Sequence, residues 1–249
     1  MSEVKRPLEG VKVLELATFI AAPCCARFLA DLGAEVIKVE APAGDPLRYT
    51  AVNEGRPQDQ KENTSYDLEN AGKTCVCLNT KTPAGREALE KLIAEADIFI
   101  TNWRQNPLKK AGLDYETLHA KYPRLVYGFV SGYGEKGPDK DLPGFDFTAF
   151  FARGGILGTL FDKDALPMLT IAGFGDHQVG MYLAIGDRVV VSLFHSAIWD
   201  VSLLLQASQY GDPTTQYPLS RRTLPNPLVV AHKTKDNKWL QIAMPQYNR

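Results

Sequence analysis

VKVLELATFIAAPCCARFLADLGAEVIKVE, residues 11–40, holds the pattern on which the fold turns. VKVLELA (11–17) is an apolar run of strand length, and AAPCCARFLADLGA (21–34) reads as a helix. Pro23 falls in the first turn, where a missing N–H costs nothing, and Gly33 suits the C-terminal cap. EVIKVE (35–40) is then a second strand. Strand, helix and strand in such short order form the repeating unit of a parallel sheet.

The pattern continues outward. A Gly/Pro-rich loop follows Glu40, and the polar stretch 51–70 is expected at the surface. TCVCLN (74–79) is the third strand, and Thr82-Pro83 opens a helix over AGREALEKLIAEA, with Leu89, Leu92 and Ile93 at helical spacing. DIFITNW (97–103) is a strand, 107–121 a helical pair, and RLVYGFVSGYG (124–134) a further strand. The expected class is α/β, a doubly wound parallel, Rossmann-like sheet. Ligands on such sheets sit outside the carboxyl ends of the strands. That directs scrutiny to Phe19–Ala22, the residues after Glu40, Asn102–Arg104 and Ser131–Gly134.

GFGDHQVG (173–180) sets a carboxylate, Asp176, and His177 among glycines before an apolar run. Taken alone, Asp176 reads as the N-cap of a helix HQVGMYLAI. Residues 189–207 approach the length of a membrane span but contain His195, Asp200 and three serines. A charge at the bilayer centre is costly, so a buried strand and helix fit better. In PNPLVVAHKTKDNKWLQIAMP (225–245), two β-rich runs flank a hairpin turn at Lys-Asp-Asn-Lys. The expected division is a large Rossmann-like domain over 1–208, then a linker and the start of a second, smaller domain over 209–249.

Of the 249 residues, 45% are hydrophobic and 23% charged, ordinary for a folded domain, and the net charge of −1 offers no attraction for nucleic acid. MSEVKRPLEG lacks the apolar segment of a secretory signal, and a cytoplasmic location without membrane association is expected. The four cysteines, Cys24, Cys25, Cys75 and Cys77, lack CxxC spacing. They are expected as reduced core residues, with no metal site. His119, His195 and His232 are expected to be structural or surface residues. No GxGxxG follows the first strand, whose turn into the helix, ATFIAAP, has no glycine, and GxxxxGK[ST], GxSxG and HExxH do not occur. A dinucleotide or nucleoside triphosphate held in the usual manner is thereby disfavoured. SGYGEKGP (131–138) reads as a plain loop.

A set of blocks in order resembles the family III CoA-transferases (CaiB/BaiF type). They are PLEGVKVLELATFIAAPCCARFLADLGAEVIKVEAPAGDPLR, NAGKTCVCLN, TPAGREALEKLIAEADIFITNW, LVYGFVSGYGEKGP, GDHQVGM and VVVSLFHSAIWD. GDPLRYT, ENTSYDLENA, DKDLPGFDFTAFFARGG and GDHQVGMYLA further resemble the members that serve 2-hydroxy acids, the phenyllactate and 2-hydroxyisocaproate CoA-transferases. The resemblance implies that CoA passes from an acyl-CoA donor to a 2-hydroxy carboxylic acid. Asp176 would be the nucleophile, carrying first an acyl anhydride and then a CoA thioester. His177 would take a positioning role at most, because exchange between carboxylates needs no obligatory proton shuttle.

The family's CoA contacts fall by position on Ile20, Ala21, Lys73, Asn102, Trp103 and Lys110. Glycines 173, 175 and 180 would let the backbone approach the substrate and offer N–H groups to an oxyanion. Where some members carry an arginine after the KVE block, this chain has Ala41, and Arg48 is the substitute cation to test. Phe145, Phe147, Phe150 and Phe151 would suit an aryl or branched alkyl side chain. The resemblance implies coenzyme A and acyl-CoA as substrates with no tightly bound cofactor, small carboxylic acids as partners, and an interlocked homodimer.

Two departures accompany it. GMYLAIG runs directly into DRVVVSL, where relatives carry a further helix and a turn, and the family's C-terminal half is not represented after Arg249. A chain of this extent alone is expected to be weakly stable and little active. The competing reading is therefore a non-catalytic CoA-binding fragment. A third is a family III transferase with another acid pair, such as carnitine, formate or succinate.

Overall fold

The computed structural model describes residues 6–59, 61–153, 166, 171–184, 206, 209–210 and 231–241. Five parallel strands form its centre: β1 (Lys12–Leu16), β2 (Glu35–Glu40), β3 (Thr74–Cys77), β4 (Ile98–Thr101) and β5 (Val126–Phe129). Their spatial order is β3-β2-β1-β4-β5, with Leu14 opposite both Ile37 and Phe99. Winding runs outward from β1 to β3, then crosses back to β4 and β5. The carboxyl ends of β1 and β4 therefore flank the point where direction reverses, the place where such sheets hold ligands.

Helix α1 (Ala21–Asp31) closes with Gly33 at φ 105°, while Gly33 N donates to Ala30 O at 2.9 Å and Ala34 N to Leu29 O at 3.0 Å. This paired cap satisfies the helix's last carbonyls and turns the chain into β2. Helices α3 (Pro83–Glu95), α4 (Gln105–Ala111) and α5 (Tyr115–Lys121) connect β3, β4 and β5. Thr82 caps α3 by accepting the Gly85 N–H. Alternation along the strands feeds two cores. Val13, Val36 and Ile100 meet α1 residues Cys25, Ala26 and Leu29 on one face, and Leu14, Val39 and Phe99 meet Leu89, Ile93, Leu108 and Leu118 on the other. Each fully buried aliphatic or aromatic side chain contributes about 1.5–3 kcal/mol.

Three expectations need correction. The polar stretch 51–70 is a surface segment only in its first part, where Val52, Asp59, Lys61 and Glu62 are exposed; it ends in α2 (Thr64–Asn70), in which Thr64, Ser65, Tyr66, Leu68, Glu69 and Asn70 are buried. Two of its buried amides are satisfied by backbone carbonyls, Asn63 Nδ2 donating to Arg48 O at 2.8 Å and Asn70 Nδ2 to Tyr66 O at 2.9 Å. Cys24 and Cys25 are core residues, but Cys75 and Cys77 are exposed, because β3 is an edge strand. Asp176 is not an N-cap. Helix α6 (Phe174–Ala184) begins before it, and Asp146 from a distant π-helical segment, Asp146–Arg153, accepts the Gly175 N–H at 3.0 Å.

Antiparallel strands β6 (Ala231–Lys233) and β7 (Trp239–Gln241) form the expected hairpin, with Asn237 at φ 60° in its turn. The readings for 189–207 and the division at 208/209 lie largely outside the described residues. Among the described residues, no helix is long and apolar enough to cross a membrane.

Candidate active site

Short polar turns, rather than continued strands, leave β1, β4 and β5, and they open a cavity of about 870 Å³. Thr18–Ala21, Asn102–Gln105 and Phe129–Gly132 line it from the strand ends. Helix α2 contributes Ser65, Leu68 and Glu69, the Asp146–Arg153 segment contributes Asp146, Phe147, Ala149 and Phe150, and α6 contributes Asp176 and His177. The size suits a large organic ligand.

Phe19 stands at φ 63°, a conformation that bulky residues avoid. Its N–H donates to Asp45 Oδ1 at 3.0 Å, and its ring meets Phe145 edge-on at 6.1 Å. Asp45 is in turn held by Lys38, with Nζ 2.9 Å from Oδ2 and both side chains fully buried. Such strain persists where surrounding contacts over-determine it. Asn102 ties the β4 exit to the β1 exit by accepting from Thr18 N at 3.1 Å and donating to Thr18 O at 2.7 Å.

Asp176 lies in the first turn of α6, where the helix N-terminus favours negative charge. Burial nevertheless pushes its carboxyl up to about 8, aided by the nearby Asp146 and opposed by His177. Burial likewise raises Asp146 to about 6 against the pull of the Gly175 N–H. His177 Nε2 sits 2.7 Å from Glu69 Oε1, with both side chains 2% exposed. Burial disfavours the imidazolium, but the charge and hydrogen bond of Glu69 together with the Asp176 and Asp146 charges outweigh it, and His177 is raised. The wall thus carries two carboxyls pressed toward protonation beside a buried, charge-paired histidine.

Of the residues singled out from the sequence, Ile20, Ala21, Asn102, Trp103 and Asp176 all line the cavity. Lys73 and Lys110 do not. Lys73 Nζ is drawn inward to Glu15 Oε2 at 2.7 Å and Pro23 O at 2.8 Å, its side chain fully buried. Lys110 is exposed in the last turn of α4, away from the wall. Arg48 is bound through Nε and Nη2 to both Glu40 oxygens at 2.8 Å and lies over the Tyr66 ring, so its charge is already matched.

Gly175 spends its N–H on Asp146 rather than presenting it to an oxyanion. At Gly180 an added Cβ would lie 2.5 Å from Ala21 O, so this glycine serves the contact between α6 and α1. Phe145, Phe147 and Phe150 face the cavity, whereas Phe151 is 1% exposed in the interior. The sequence reading missed Glu69, Asp146 and Lys140 and did not select Arg104, although Arg104 lies in the flagged β4 exit. Arg104 and Lys140 are cations on the wall. Glu69, Lys140 and Asp146 all lie within the blocks ENTSYDLENA and DKDLPGFDFTAFFARGG, but nothing local in those blocks marks them as wall residues.

Over residues 8–248 the sequence matches the family model for CoA-transferase family III, and the chain belongs to that family. It is similar to the cinnamoyl-CoA:phenyllactate CoA-transferase of Clostridium sporogenes, at 56% identity over 96% of this chain and 61% of the relative. It also resembles the (R)-2-hydroxy-4-methylpentanoate CoA-transferase of Clostridioides difficile, at 46% identity over 97% of this chain and 63% of the relative. The chain thus spans about six-tenths of the length of these curated relatives. A CAIB/BAIF family protein from Brucella suis superposes with a TM-score of 0.67 at 33% identity, over 84% of this chain and 51% of that one.

Proposed function

We propose that the protein transfers CoA between a CoA thioester and a 2-hydroxy carboxylic acid, with Asp176 as the nucleophile. The observation that carries this reading is the placement of Asp176 on the wall of a large cavity at the sheet's switch point, in the first turn of a helix. Family membership and the activities for which the two relatives are named support it.

The chemistry needs no redox group or metal. A carboxylate oxygen of Asp176 attacks the donor thioester carbonyl, the C–S bond breaks, and CoA leaves as thiolate, giving a mixed anhydride. The thiolate attacks the Asp176 carbonyl of that anhydride, which frees the donor acid and leaves CoA on Asp176 as a thioester. The acceptor carboxylate attacks this thioester, forming a second anhydride and releasing thiolate. Attack of the thiolate on the acceptor's acyl carbon gives the new acyl-CoA and restores Asp176.

The imidazolium of His177 favours the ionised form of Asp176 that the first step requires. Ile20, Ala21, Asn102 and Trp103 form the wall for CoA, and Arg104 and Lys140 supply cations for its phosphates. Phe19, Phe145, Phe147 and Phe150 suit an aryl or branched alkyl group on the acid. The same reading takes residues 1–208 as the CoA-binding domain and 209–249 as entry to a smaller one. It also takes the protein as a cytoplasmic, interlocked homodimer; these points rest on the family resemblance.

The test is to incubate the chain with an acyl-CoA and hydroxylamine and locate the modified residue by mass spectrometry. A hydroxamate at Asp176, absent in Asp176→Ala, is the expected outcome. CoA binding without modification would instead favour a non-catalytic CoA-binding chain.

A further inference from the structure

Ser65 and Glu69 are four residues apart on α2, hence on one helix face, and both line the cavity. Ser65 is 6% and Glu69 2% exposed. Glu69 Oε1 is engaged by His177 Nε2, but Glu69 Oε2 and Ser65 Oγ are buried with no hydrogen-bond partner among the described residues. Buried polar atoms are nearly always satisfied, and an orphaned pair on a cavity wall calls for a ligand group.

The donor–acceptor inventory narrows that group. An ionised Glu69 only accepts, whereas the Ser65 hydroxyl both donates and accepts. A carboxylate placed here would be repelled by Glu69. A carbonyl or ether can use Ser65 alone, and an ammonium leaves the Ser65 hydrogen without an acceptor. An alcohol hydroxyl satisfies both atoms, donating to Glu69 Oε2 and accepting from Ser65 Oγ. Its position is also fitting. Glu69 is tied to His177, the residue adjoining Asp176, and the hydroxyl of a 2-hydroxyacyl group sits one carbon from the carbonyl at which Asp176 reacts.

We propose that Ser65 and Glu69 bind the 2-hydroxyl of the substrate acid and make the site selective for 2-hydroxy acids; this rests on the reading of Asp176 as the reacting carboxylate. Glu69 thus has two oxygens with two tasks, one orienting His177 and the other reading the substrate. Loss of a hydrogen bond to a charged group falls on the acid that bears the hydroxyl, not on its deoxy counterpart.

The experiment measures kcat/KM for phenyllactate and for 3-phenylpropanoate as acceptors, with cinnamoyl-CoA as donor, in the full chain, Ser65→Ala and Glu69→Gln. Hydroxylamine trapping at Asp176 is run in parallel on the unsubstituted chain. The ratio of the two kcat/KM values is expected to fall about 10-fold in Ser65→Ala and about 10- to 100-fold in Glu69→Gln. A merely structural role would lower both acids together and leave the ratio unmoved. Trapping at Asp176 with an unchanged ratio in both variants overturns this proposal alone, and the orphaned atoms then hold only water. Failure to trap Asp176 removes the nucleophile reading and this proposal with it. Ser65→Ala does not touch the His177 pair and keeps the test decisive should Glu69→Gln fold poorly.

Discussion

Asp146 Oδ1 accepts the Gly175 N–H at 3.0 Å, and so a residue 29 positions earlier caps α6 in place of Asp176. This leaves the Asp176 carboxyl unused in capping, next to a second carboxyl and at a helix N-terminus.

A pH dependence follows for Asp176. Its carboxyl is raised from 3.8 to about 8, chiefly by burial. The folded chain then holds a proton that the unfolded chain releases, so stability declines as pH rises through that window. Asp176→Asn should gain stability relative to the parent at pH 9 and none at pH 4. Urea midpoints measured at both values check this, and a pH-independent difference would contradict it.

The Glu69–His177 pair gives the same direction from the opposite cause, since charge pairing rather than burial raises the histidine. His177 is raised above 6.5 because the Glu69 charge and hydrogen bond, with the Asp176 and Asp146 charges, together outweigh burial. Its contribution to stability is fully present below about 6.5 and is lost as pH rises through the higher folded value. Glu69→Gln should abolish that loss and cost about 3–5 kcal/mol at pH 6, since it strands one partner of a buried pair. Histidine titration by NMR together with denaturation gives both readouts. A His177 titrating as in an unfolded peptide would refute the coupling.

Lys73 should act through stability. Its fully buried ammonium is 2.7 Å from Glu15 Oε2. Lys73→Met leaves Glu15 with Lys38 as its ion-pair partner among the described residues, at 2.6 Å, and should cost about 3–5 kcal/mol in a urea titration. A variant of parental stability with weakened CoA binding would return Lys73 to the ligand site.

Gly180 sets how closely α6 approaches α1. A Cβ there would sit 2.5 Å from Ala21 O and 2.8 Å from Cys24 Sγ. Gly180→Ala should therefore destabilise by about 1–3 kcal/mol and also lower Asp176 trapping, because Ala21, which the added methyl would displace, lines the same cavity as Asp176. Thermal denaturation checks the first effect. An unchanged midpoint would mean that the two helices separate without cost.

Sequence alone was sufficient for the strands and helices of the sheet region, since apolar period, Pro23 at a helix start and Gly33 at its end are local signals. It also marked Asp176, Ile20, Ala21, Asn102 and Trp103, which line one cavity. It read α2 wrongly, because a helix of polar residues looks solvated until its partners are known. What only the tertiary structure decided were the pairings: Glu69 with His177 across 108 residues, Asp146 with Gly175, and Lys73 with Glu15 across 58. Local periodicity is written into neighbouring residues. The partner of a buried charge depends on which distant segments share an interior, and the same lysine or glutamate is surface or core according to that alone.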